Sequence, residues 1–204
     1  MRLILASASP ARLTTLRSAG LNPHVVVSDV DETGFTAATP TELASLLARE
    51  KAEAVFASLG QPTDTIVVGC DSVLDFEGRA IGKPGSRPAA VELLRRTRGR
   101  SGVLTTGHHL IVSGATTQRI TRAARTVVHI GDLTDAEIDA YVATGEPEHV
   151  AGGFTIDGLG GAFVTAIEGD HHNVVGLSLP LLRLMLADCG VSWTDLWTAA
   201  PTGA

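Results

Sequence analysis

The feature that most restricts the fold of this chain is a change of pattern midway along it. Up to about Thr97 short apolar strands alternate with helices. Beyond that, two long strands, Val103 to Ser113 and Arg119 to Ile130, follow one another across a turn at Gly114. Strand–helix alternation favours parallel pairing through helical crossovers, whereas two consecutive long strands pair antiparallel. The expected fold is therefore α/β, with a mixed sheet flanked by helices rather than a purely doubly wound one. The 204 residues, 44% of them hydrophobic, are enough to bury a sizeable core as one large domain or two lobes sharing it. A single domain is expected over residues 1–197, with Thr198 to Ala204 a frayed tail.

Local signals place the elements. Leu3 to Ala6 reads as a short buried strand. Ser9 caps the helix that follows, Pro10 suits its first position, and Gly20 ends it after Ala19. His24 to Ser28 reads as a second strand, followed by an acidic loop with Asp29, Asp31 and Glu32. Thr39-Pro40-Thr41-Glu42 is a capping box opening a helix to about Ser58. Its apolar face is expected to hold Leu43, Leu46, Leu47 and Ala54, with Lys51 on or beside that face. Such a lysine either snorkels at the rim or points into a cleft. Ile66 to Cys70 reads as a buried strand ending at Asp71-Ser72, and Glu77-Gly78 as a hairpin turn. Further helices are expected over Pro88 to Thr97, after the capping box Thr134-Asp135-Ala136-Glu137, and over Pro180 to Cys189. Residues 150–169 are glycine-rich with short strand signals.

Arg12 is the most telling polar residue. It stands where a capping box would place Glu or Gln, so a cation sits beside the positive end of a helix dipole. Bound anion would reverse that cost: backbone N–H groups, Ser7, Ser9 and the guanidinium together make a phosphate cradle. A solvated arginine on a plain strand–loop–helix is the alternative. Asp71, at the end of a strand of buried valines, suits a general base or a metal ligand, or else a turn. Lys83 is held between Gly82 and Pro84, which fixes its direction. The acidic loop suits either solvent or a hard divalent cation shared with phosphates.

Several function classes drop out. A net charge of −6 disfavours a nucleic-acid polymer as partner. Cys70 and Cys189 suggest neither a metal cluster nor a disulfide framework. Adjacent strand residues point to opposite faces, so His108 and His109 cannot share one ion, and no HExxH spacing occurs. No G-x-S-x-G elbow supports a serine hydrolase at Ser7 or Ser9. Gly152-Gly153 and Gly158-Leu159-Gly160-Gly161 match neither a P-loop nor a dinucleotide fingerprint. No signal peptide or membrane span is read, which makes the cytoplasm the expected location.

Seven short motifs occur in order: Ser7-Ala8-Ser9-Pro10-Ala11-Arg12, Ala48-Arg49-Glu50-Lys51-Ala52, Gly69-Cys70-Asp71-Ser72-Val73, Gly82-Lys83-Pro84, Gly145-Glu146-Pro147, Ala151-Gly152-Gly153-Phe154-Thr155-Ile156-Asp157-Gly158 and Asn173-Val174-Val175-Gly176-Leu177. From about Leu3 to Leu186 the chain resembles the Maf family of nucleoside triphosphate pyrophosphatases, also called septum-formation-inhibitor-like proteins. The resemblance implies an elongated fold with two lobes around a deep cleft, similar to inosine triphosphate pyrophosphatases. It implies hydrolysis of a nucleoside triphosphate to monophosphate and pyrophosphate with a divalent metal cation, Mg²⁺ or Mn²⁺. It further implies clearance of non-canonical nucleotides or restraint of cell division, and a homodimer. A non-catalytic nucleotide-binding regulator of septum formation is the rival reading.

Carried over by motif, Asp71 resembles the general base and Glu32 the family's metal-associated carboxylate. Ser7 and Arg12 resemble the phosphate grip, and Lys51 and Lys83 the groups that neutralise the phosphate chain. Arg12, Ser72 and Asp157 match positions linked to substrate choice. The chain departs from the family pattern at Ala11, where many members carry a first arginine. It departs again at Ser72 and Asp157, where members acting on thymidine and uridine triphosphates carry Thr and Gln. An ionised Asp only accepts hydrogen bonds, so Asp157 is expected to favour a base edge rich in donors.

Overall fold

The computed structural model describes residues 1–198. Its seven strands are β1 (Arg2–Ala6), β2 (His24–Val25), β3 (Thr65–Phe76), β4 (Arg79–Ile81), β5 (Ser101–Ser113), β6 (Thr117–Ile130) and β7 (Val164–Glu168). Its helices are α1 (Pro10–Ser18), α2 (Pro40–Ser58), α3 (Arg87–Thr97), α4 (Asp135–Ala143), α5 (His171–Val175) and α6 (Leu179–Asp188). The strands form one sheet in the order β2-β1-β3-β5-β6-β7, with β4 on the far part of β3. β1 pairs parallel with β2 and β3, and every other pairing is antiparallel. The mixed α/β sheet flanked by helices is thus as expected. Among the described residues no helix is long and apolar enough to cross a membrane.

The expected local signals set the element ends. Thr39 and Thr134 both close complete capping boxes, and Ser9 accepts from the Arg12 amide. Glu77 and Gly78 both take positive φ, 56° and 78°, as a two-residue hairpin between β3 and β4 requires.

Four expectations are corrected. The second strand holds only two paired residues instead of five: Val26 still donates its N–H to the Leu5 carbonyl at 3.1 Å, and Val27 and Ser28 then leave the sheet and line a cleft. The strand through Ile66 does not end at Asp71 but runs on to Phe76, since β5 pairs with it as far as Asp75 and β4 pairs with its last residues. Residues 150–169 carry one strand, β7, and two short 3-10 stretches, Ala151–Gly153 and Leu159–Phe163, where further strand was expected. The buried face of α2 carries Ala44, Leu47, Ala48, Ala52, Val55 and Phe56, while Leu43, Leu46 and Ala54 are only half-buried. That last difference is a packing effect. Gly69 and Gly107 lie so close under α2 that a Cβ on either would run into the backbone of Ala48 or Ala44. Only a stripe of alanines lets the helix descend that far. As for the tail, Thr198 donates its backbone N–H to the Gly20 carbonyl at 3.0 Å, and residues 199–204 lie outside those described.

The apolar core divides around the site. One cluster gathers Leu5, Leu16, Val68, Leu110, Leu182 and Met185 between the sheet and helices α1 and α6. Another gathers Leu74, Phe76, Leu94, Leu104, Ile138 and Tyr141 around the far end of β3 with α3 and α4. A cleft of about 870 Å³ lies where the two lobes meet.

Candidate active site

The cleft exists because β3 lacks a neighbour along one short stretch. β1 pairs with it up to Gly69 and β4 only from Leu74, so residues 70–73 are bare on that edge. Asp71 and Ser72 fall in this gap and present opposite faces of the strand. Ser72 turns towards α1, where it meets Arg12. Asp71, like Gly69, turns towards α2, where it meets Lys51.

Arg12 does not dangle at the helix terminus. Its Nε donates to the Gly176 carbonyl at 2.7 Å, and Nη1 donates to Ser7 Oγ at 3.1 Å and the Cys70 carbonyl at 2.9 Å. Nη2 donates to Ser72 Oγ at 3.1 Å. Four of its five N–H donors are thereby spent on the protein. These oxygens offset the unfavourable position beside the helix dipole. The guanidinium acts as a bracket joining α1, β3 and the end of α5, with one N–H unpartnered among the described residues. Ser7 Oγ also accepts from the Ser9 amide at 3.1 Å. The thiol of Cys70, beneath this bracket, is pushed up to about 12 by burial.

Lys51 answers the rim-or-cleft question. Its Nζ lies 2.6 Å from Asp71 Oδ1 and 2.7 Å from Glu32 Oε1, bridging the acidic loop to β3. The Lys51 and Asp71 side chains are 12% and 11% exposed, so this pair is shielded from solvent, whereas Glu32 is 51% exposed. The close descent of α2 onto Gly69 and Gly107 is what brings Lys51 within reach, because Gly107 sits opposite Asp71 in the sheet. Asp71 Oδ2 makes no hydrogen bond among the described residues.

Lys83 also lines the cleft, exposed and without an ion-pair partner among the described residues. Its neighbour Gly82 accepts from the Gly152 amide at 3.0 Å, which ties the lysine's loop to the glycine-rich segment. Asp157 lines the cleft too, exposed, with no hydrogen bond or ion pair among the described residues. The cleft therefore gathers Ser7, Ser9, Arg12, Glu32, Lys51, Asp71, Ser72, Lys83 and Asp157.

Among the described residues, no three His, Cys, Asp or Glu side chains are grouped to hold a metal ion. The hard oxygens of Glu32 and Asp71 do suit Mg²⁺ or Mn²⁺, which commonly take one or two protein carboxylates and complete their shell with phosphate oxygens and water. His108 and His109 are buried in the sheet and bonded within it. Nδ1 of His108 donates to the Thr106 carbonyl at 3.0 Å and Nε2 accepts the Ser178 amide at 2.8 Å. His109 pairs with Thr121 Oγ1 at 2.7 Å on the other face.

Sequence reasoning assigned no task to Glu146 or Asn173, both of which tie down segments next to the cleft. Asn173 donates to the Leu104 carbonyl and to Thr126, fixing α5 on the sheet. Its own short motif was the available signal.

The family model for Maf-like protein matches residues 2–189. A nucleoside triphosphate pyrophosphatase of Streptomyces coelicolor is 53% identical over 199 residues, covering 98% of this chain and 96% of the relative. One from Mycobacterium marinum is 46% identical over 214 residues, covering 98% of each. Among solved structures, a HAM1 protein from Coxiella burnetii aligns over 92% of this chain and 99% of its own. Its TM-score is 0.46 and its identity 17%, a likeness too slight to argue from.

Proposed function

The chain belongs to the Maf-like protein family, and we propose that its cleft hydrolyses nucleoside triphosphates to nucleoside monophosphate and pyrophosphate. Relatives about half identical over nearly the whole chain bear that activity in their names. The observation that carries the reading is the shielded Lys51–Asp71 pair beside the Arg12 bracket, with Glu32 at its open side. A binding module needs the cations; a buried carboxylate with one free oxygen at the same point is what a reaction needs.

Lys51 holds Asp71 Oδ1, so Oδ2 takes the proton from water as the water oxygen bonds to the α-phosphorus. The bond from that phosphorus to the bridging oxygen breaks, and pyrophosphate leaves with the electron pair. Asp71 then returns its proton to solvent. Lys51 and Lys83, both lining the cleft, place positive charge against the phosphate oxygens. Ser7, Ser9 and the remaining N–H of Arg12 orient the phosphate chain. Glu32 and Asp71 are the residues that would hold a divalent cation, which when bound neutralises charge growing on the phosphate oxygens. Asp157 faces the base and accepts from donors on its edge.

The test is a product assay over normal and modified nucleoside triphosphates with Mg²⁺ or Mn²⁺, detecting pyrophosphate and monophosphate. Asp71→Asn is expected to lower kcat by at least about 100-fold while nucleotide affinity stays within a few-fold. Unchanged turnover in Asp71→Asn would remove it as the base. Tight binding with no pyrophosphate from any nucleotide would favour the septum-regulator alternative.

A further inference from the structure

The glycine motif at 158–161, which fits no phosphate loop, and the Gly145-Glu146-Pro147 motif meet at one point. Glu146 follows the positive-φ Gly145 at the end of α4. Its Oε1 accepts from Tyr141 Oη at 2.8 Å, Thr155 Oγ1 at 2.6 Å and the Gly160 amide at 3.0 Å. Its Oε2 accepts from the Leu159 amide at 3.1 Å. Tyr141 Oη in turn accepts the Thr155 amide at 3.2 Å. One carboxylate and one phenol thus hold both ends of the loop over residues 155–160, and Asp157 sits at its crest.

The glycines explain themselves in this setting. A Cβ on Gly158 would lie 2.7 Å from Glu146 Oε2, and one on Gly160 would run into the Tyr141 hydroxyl. The loop backbone can close on its anchor only where side chains are missing. Burial works to raise the Glu146 carboxyl, but the hydrogen bonds from Thr155, Gly160, Leu159 and Tyr141 outweigh it and hold the group below its ordinary range. The anchor is therefore an ionised acceptor, matched to four donors. Asp157, by contrast, has no side-chain hydrogen bond or ion pair among the described residues.

We propose that Glu146 is a positioning residue for base selection: it anchors residues 155–160 and so holds the Asp157 carboxylate in the cleft wall. The assignment rests on the nucleotide-hydrolase reading above. Glu146 touches none of Arg12, Lys51, Asp71 or Lys83, so its effect falls on how the base is held and not on the phosphate chemistry.

Glu146→Gln is the informative variant. Its carbonyl oxygen keeps the bonds to Tyr141, Thr155 and Gly160, but its amide sets N–H against the Leu159 N–H. The expected result is about a tenfold rise in KM for the preferred nucleotide and a flatter ranking of bases, with kcat changed less than about threefold. Amide exchange at Leu159 and Gly160 should quicken in the same variant. Tyr141→Phe deletes one hydroxyl without altering the core and should move KM and ranking in the same direction, less far. Once Asp157 is replaced by Ala, adding Glu146→Gln should alter the ranking no further, because the two act in series.

Equal loss of kcat for every nucleotide with the ranking intact would make Glu146 a structural residue only and overturn the proposal. An active wild type whose ranking survives both Glu146→Gln and Tyr141→Phe overturns the anchor alone. A wild type that hydrolyses no nucleotide overturns the hydrolase reading and base selection with it.

Discussion

Acid should weaken this fold through one imidazole, His108. Its ring is fully buried on β5, with Nδ1–H given to the Thr106 carbonyl and Nε2 accepting the Ser178 amide. That arrangement fits only the neutral ring; a proton on Nε2 would oppose the Ser178 N–H. Burial, aided by the nearby Arg12 charge, lowers its pKa from 6.5 to about 4, against the opposing pull of the Thr106 carbonyl and Asp170. A group with a lowered folded pKa gives stability that is present above the unfolded pKa and lost as pH falls through the folded one. Each pH unit crossed between the two values costs about 1.4 kcal/mol. The loss is therefore about 2 kcal/mol by pH 5 and about 3 kcal/mol by pH 4. Ser178 caps α6 and lies two residues beyond Gly176, whose carbonyl holds Arg12, so the strain falls beside the cleft. The assay is urea unfolding from pH 7.5 to 4.5 on the wild type and His108→Gln, whose amide can still accept from Ser178 but does not titrate. Every contribution the two proteins share cancels in the difference. Stability curves that fall in parallel, within about 0.5 kcal/mol at pH 5, would refute the reasoning.

Two further substitutions probe the architecture and the base contact. Gly107→Ala drives a Cβ into the backbone of Ala44 and Ser45, which cannot swing aside, and should cost at least about 1–3 kcal/mol by denaturant midpoint while weakening turnover as Lys51 lifts from Asp71. A variant as stable and active as the wild type would show that α2 does not need that close approach. Asp157→Gln adds a donor to the cleft wall and should shift relative kcat/KM towards uridine and thymidine triphosphates by about tenfold, or about 1.4 kcal/mol. A wild type that already prefers those nucleotides, with a preference the substitution leaves unchanged, would remove Asp157 as a base contact.

The local parts of this fold are written in adjacent residues. The Thr39 and Thr134 capping boxes, Pro40 at a helix start, and the Glu77-Gly78 turn each close their hydrogen bonds within about four residues, so no distant partner can change them. The switch from alternating elements to two long strands likewise determined a mixed sheet. Motif order brought Ser7, Arg12, Lys51, Asp71 and Lys83 into one list. The tertiary structure decided what each of them does. Asp71 borders the cleft because β1 stops at Ala6 while β5 continues, a matter of strand neighbours that no local pattern records. Lys51 reaches it because alanines on α2 meet glycines on β3 and β5, a fit between residues tens of positions apart. Arg12 looked free to grip an anion, yet most of its donors go to acceptors on β3 and after α5. Glu146 and its glycines were visible as motifs without a task, because a carboxylate's role depends on which donors the folded chain brings to it. Short-range bonding is fixed by sequence neighbours; charge pairing and burial are fixed by the sheet order and the depth of packing.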